Sequence, residues 1–305
     1  MGSTGFVAHE DCSRHDTGWR HPDHQGRLRA LVRAVYKDLP TLHQHLHEIV
    51  GRPAGVDDLR LIHTDAHIER IREHAARSGE EGSPLPLEEG IVLSGASWEA
   101  ALAAAGTAIT AVEAVLDGEA RNAFACARPP GKSARQDTPG GFSLFNNVAI
   151  AAEHLRQRKG ISRILIVDWG ADPSPATEEI FADDPEVRVV ALRPALSGSE
   201  AASRSTDVGG GDAFPSLFRE AVAAAGAELE PEFVLLSADF DTLASDPTTE
   251  MPLVPEDFTA LTRAVLEVAE SHAGGRLVSV LEGGYDPAAT GDAVVHHLRV
   301  LAGVS

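Results

Sequence analysis

The residues with chemical potential sit in four short stretches. Arg128-Pro129-Pro130-Gly131-Lys132-Ser133 places a lysine and a serine after a turn stiffened by two prolines. Asp168-Trp169-Gly170-Ala171-Asp172 and Asp239-Phe240-Asp241 supply carboxylates. Glu282-Gly283-Gly284-Tyr285 supplies an acid and a phenol. A lysine can pair with carboxylates or, if its pKa falls far below about 10.4, act as a base. Lysine is scarce in this chain, occurring only as Lys37, Lys132 and Lys159, so its presence in a rigid turn stands out. Clustered aspartates can hold a hard cation through oxygen.

Three of these stretches follow short, continuous apolar runs: RILIVD (163–168), EFVLLSA (232–238) and RLVSVLEGG (276–284). VRVVAL (187–192) is a fourth such run. Helical patterns separate them, at 213–226 and 255–272. Buried strands alternating with helices predict a parallel sheet covered on both faces. Ligands of such sheets bind beyond the carboxyl ends of the strands, so the acids, the Gly-Gly-Tyr turn and the Lys132 turn are expected on one rim. The early part reads as helices over 27–36, 64–79 and 97–118, with Thr64 as an N-cap and Gly79 as a stop.

The chain has 305 residues, 43% hydrophobic, with no composition break to mark a linker, which predicts a single α/β domain. The net charge of -20 argues against nucleic-acid binding, which needs Lys and Arg against phosphate. The acidity reads as a solvated surface or attraction to a basic partner. The first residues lack the basic and apolar regions of a secretory signal, and no run of 18 apolar residues predicts a membrane span. Two distant cysteines, Cys12 and Cys126, fit a reducing, cytoplasmic setting, with Cys126 as a small core residue. His43 and His47 fall at helical i, i+4 spacing, which suits a polar helix surface better than a metal site lacking a third ligand.

Taken in order, HPDHQGRL (21–28), SWEAALAAAG (97–106), NAFACARPPG (122–131), GGFSLFNNVAIAA (140–152), RILIVDW (163–169), LLSADFD (235–241) and LEGGYD (281–286) resemble the histone deacetylase family. The resemblance spans nearly the whole chain and implies the arginase/deacetylase fold. It implies zinc-dependent hydrolysis of acylated amines, with the metal held by Asp, His and Asp. Two consecutive histidines after RPPG would handle protons, and the tyrosine of LEGGY would stabilise the oxyanion.

This sequence departs from that pattern at the site. The two histidines fall on Lys132 and Ser133, the first zinc-ligand aspartate on Gly170, and the ligand histidine on Asp172. Asp241, Tyr285 and Asp168, which backs the first histidine in the family, are retained, and a family glycine has become Asp239. The family's substrate-gripping aspartate falls on Gly90, beside Glu88 and Glu89. Gly141, Phe142, Gly283 and Gly284 match the pocket wall.

Catalytic zinc needs three protein ligands and an open position, so the leading expectation is a pseudoenzyme with no cofactor. Such a protein keeps the scaffold to bind a small molecule or a protein. In it, Lys132 replaces the metal's charge by pairing with Asp168, against the alternative of a lysine pointing to solvent. A second reading is a rebuilt all-carboxylate site, Asp172, Asp239 and Asp241, suited to Mg²⁺ or Mn²⁺ rather than Zn²⁺. A third is a regulatory or structural subunit of an active homologue.

Overall fold

The computed structural model describes residues 2–171, 175–194, 207–208 and 214–304. Eleven strands are present among them: β1 (Thr4–Ala8), β2 (Leu46–Val50), β3 (Leu85–Glu88), β4 (Ile91–Leu93), β5 (Asn122–Ala125), β6 (Ile164–Asp168), β7 (Val187–Ala191), β8 (Arg193–Pro194), β9 (Asp207–Val208), β10 (Phe233–Ala238) and β11 (Leu277–Leu281). The helices are α1 (Gly26–Lys37), α2 (Leu39–Leu42), α3 (Val56–Leu59), α4 (Asp65–Glu81), α5 (Ser97–Leu116), α6 (Asn147–Lys159), α7 (Ala176–Ile180), α8 (Phe214–Leu229), α9 (Asp257–His272) and α10 (Pro287–Ala302).

Seven strands form one sheet in the order β2-β1-β5-β11-β10-β6-β7, and every pair is parallel. Strands β5, β6, β10 and β11 are buried along their whole length. That burial is why they read as unbroken apolar runs rather than alternating ones. Helices α5 and α6 pack together over β1, β5, β11 and β10; α1, α10, α9 and α8 form the other layer. The chain lays β5 and β6 apart and later fills the gap between them with β10 and β11. The loops after these four strands therefore meet at one rim.

Local sequence fixes the helix ends. Thr64 accepts the His67 N–H, and Asn146 accepts the Ala149 N–H. Asp286 accepts from Ala288 and Ala289, with Pro287 in the first helical turn. Helix α5 is long and apolar enough to cross a membrane by composition, but 72% of its apolar window is buried in this fold. Its alanines and Gly106 allow close packing: a Cβ on Gly106 would lie 1.8 Å from the Arg52 carbonyl oxygen.

Three local expectations are corrected. The early part holds four strands besides its helices: β1 and β2 of the central sheet, and β3 and β4, which pair antiparallel with each other. His43 follows a one-turn helix and His47 lies on β2, in register with Gly5 of β1, so the two are not on one helix face. Gly79 does not stop α4, which runs on to Gly82 at φ +67°. Gly79 instead lets another glycine approach, since a Cβ on Gly95 would lie 2.7 Å from its Cα.

Candidate active site

Lys132 is held from both sides before its side chain does anything. A Cβ on Gly131 would lie 2.4 Å from the Asn147 nitrogen, so glycine is what lets this turn press against the start of α6. The N–H groups of Gly131 and Lys132 donate to Glu282 Oε2 at 2.6 and 3.0 Å. The Lys132 carbonyl accepts from Thr177 Oγ1 at 3.0 Å and from Asn146 Nδ2 at 3.3 Å. Behind the turn, Asp23 takes Arg128 Nε at 3.0 Å and an Arg27 Nη at 2.6 Å. Arg27 also donates to the carbonyls of Glu282 and Gly284, at 2.7 and 2.6 Å. This buried Arg27–Asp23–Arg128 group ties the RPPG turn to the turn after β11. Sequence reading missed it, although Asp23 and Arg27 show helical i, i+4 spacing.

The Lys132 side chain is 4% exposed and does not point to solvent. Its Nζ donates to Asp168 Oδ1 and Oδ2 at 3.0 and 2.9 Å, the pairing expected from sequence. It also lies 3.0 Å from Asp239 Oδ2, a partner sequence did not supply. Asp239 Oδ1 accepts the Asp241 N–H at 3.2 Å, and Asp241 Oδ1 accepts the Ala171 N–H at 2.7 Å. Burial, then the neighbouring Asp239, pushes the Asp241 carboxyl well above the usual range.

A cavity of about 610 Å³ opens above this cluster. Lys132, Ser133, Gly141, Phe142, Asp239, Asp241, Gly283 and Tyr285 line it, so the rim expected from the strand ends is assembled. Phe142, at φ +67°, sets its ring 5.3 Å from that of Tyr285, which lies 4.7 Å from the Arg27 guanidinium carbon. Burial raises the Tyr285 phenol well above its ordinary value, leaving it a hydrogen-bond donor. Gly284 is a correction: it does not line this cavity. At φ +103° its backbone turns inward, and a Cβ there would lie 2.8 Å from Phe240 and Thr290.

Glu282, an acid at a strand end in the sequence, is central to the site because it anchors the Lys132 turn. Its carboxyl is 1% exposed and lines the cavity, and burial pushes it up to about 8 despite the two backbone donors. No pattern in the sequence reveals this, because its partners on Oε2 are main-chain amides. The segment Pro247–Met251 completes the wall and was also missed; it has no periodicity to find. Gly90, at φ +73°, gives its carbonyl to His21 Nε2 at 2.9 Å, while Glu88 pairs with Arg70.

A zinc ion held as the family resemblance implies does not fit these residues. Gly170 offers no side-chain donor, and a Cβ built on it would lie 2.1 Å from Lys132 Nζ. An ammonium thus fills the corner where a ligand side chain would start. Asp172 lies outside the described residues, which leaves Asp239 and Asp241 of the all-carboxylate alternative. Among the described residues, no group of three or more His, Cys, Asp or Glu side chains is arranged to hold a metal ion.

A family model, histone deacetylase domain, matches residues 21–193 and 202–301. The chain belongs to the histone deacetylase family. A histone deacetylase-like amidohydrolase of Pseudomonas aeruginosa is 33% identical, over 88% of this chain and 72% of that protein. Human polyamine deacetylase HDAC10 is 32% identical over 98% of this chain, which spans about half (48%) of that protein's length. The crystal structure of the HDA15 HD domain superposes with a TM-score of 0.86 at 24% identity, covering 100% of this chain and 91% of that one. That likeness shows the deacetylase fold expected from the sequence.

Proposed function

We propose that this histone deacetylase-family chain does not run zinc hydrolysis and keeps its cavity to bind a ligand. The position of Lys132 carries the reading. Its Nζ takes the place of any side chain at residue 170 and is already neutralised by Asp168 and Asp239. Two unit cations about 4 Å apart repel by about 4 kcal/mol at an effective dielectric of about 20, and a dication doubles that. The family's proton-handling pair is here Lys132 and Ser133; the first is committed to carboxylates and the second is not a base. What the cavity keeps is recognition chemistry: the Tyr285 and Ser133 hydroxyls, carboxyl groups and the Phe142 ring.

The test is metal content by mass spectrometry of untagged protein incubated with zinc, manganese or magnesium and desalted, together with acetate release from acetylated amines. Well under one equivalent of each metal and no acetate are expected. One retained equivalent, lost in Asp241→Ala, overturns the reading.

A further inference from the structure

We infer that the cavity takes an unacylated primary alkylammonium ion, its charged head at Glu282 and its aliphatic chain along Phe142 and Met251. The inference rests on the non-hydrolytic reading above. Its first support is an unsatisfied acceptor. Glu282 Oε2 takes two backbone N–H groups, but Oε1, equally buried, has no hydrogen-bond partner among the described residues. A buried carboxyl oxygen without a donor is costly, and a ligand with N–H donors removes that cost.

Charge balance points the same way. Asp239, Asp241, Glu250 and Glu282 line the cavity, and Asp168 lies beneath Lys132. Among the described residues, Lys132 is the one lysine or arginine on the lining, and it is engaged by Asp168 and Asp239. Arg27 is committed to Asp23 and to two carbonyls. An ammonium brings three donors and a positive charge to this acceptor-rich lining. An acylated amine brings a carbonyl acceptor, one N–H and no charge, so it complements the lining poorly. Pro130, Phe142 and Met251 supply apolar walls for a carbon chain.

The full chain should be titrated calorimetrically with n-pentylamine and with N-acetylpentylamine at about pH 9, above the value of about 8 to which burial pushes the Glu282 carboxyl and below about 10.4, where a primary amine loses its proton. Saturable one-to-one binding of pentylamine is expected, with the acetylated form at least about tenfold weaker. Glu282→Gln should weaken pentylamine at least about tenfold, the loss of one charged hydrogen bond. If that variant does not fold, Met251→Lys, which tethers a competing ammonium in the cavity, should abolish pentylamine binding. No pentylamine binding, equal binding of the acetylated form, or an unchanged affinity in a folded Glu282→Gln overturns the inference. Acetate released from N-acetylpentylamine overturns both this inference and the non-hydrolytic reading. Metal content decides that reading separately.

Discussion

Lys132 Nζ lies 2.1 Å from the point where residue 170 would carry its Cβ. The two positions therefore share one volume: glycine at 170 is the condition for an extended lysine at 132.

Gly170→Ala should accordingly destabilise the protein by about 1–3 kcal/mol, the usual cost of overpacking. In a Lys132→Met background the same change should cost less, because the flexible methionine lacks the ammonium held at 3.0 Å by two aspartates. Urea denaturation of the four proteins closes the cycle, and contacting residues couple by about 0.5–3 kcal/mol. Strictly additive costs would mean that another neighbour, such as Asp239, is the obstacle.

Lys132→Met alone should be more damaging than an ordinary surface lysine change. It removes one partner of a buried ion cluster and leaves Asp168 and Asp239 uncompensated, which costs about 3–5 kcal/mol. A change below about 1 kcal/mol in the urea midpoint analysis would place Lys132 in solvent instead.

Glu282 makes stability depend on pH in a defined sense. Its carboxyl titrates at about 8 in the fold, against an ordinary value of 4.5, so folding favours the neutral form. That contribution is complete below about 4.5 and is lost as pH rises through about 8. Glu282→Gln stays neutral, so its melting temperature should gain on that of the parent from pH 5 to 8. Parallel melting curves across that range would show that Glu282 is ionised throughout.

Much of this architecture is legible in the chain, for reasons that individual elements make plain. ILIVD, FVLLSA and LVSVL read as strands because both faces are buried and nothing polar interrupts them. LHEIV did not, because β2 is an edge strand with only Leu46 and Ile49 half-buried, and its histidines mimicked a helix. At the site, acids at strand ends and a lysine after a rigid turn are visible as residue types. The Lys132–Asp168 pair follows from the family pattern of a basic group backed by aspartate. The Asp239 contact and the Glu282 role depend on how four separated loops stack over the sheet, and no local spacing encodes that.

The shared volume at 132 and 170 also constrains the mutational paths open to this protein. Putting an aspartate at 170 while Lys132 remains forces a collision; removing Lys132 while Gly170 remains strands two buried carboxylates. Each single step toward a metal ligand at that corner is uphill, and only the paired change avoids both penalties. The lysine thus works as a ratchet: drift one residue at a time is held on the side of the lysine-filled corner, whatever metals the surroundings offer.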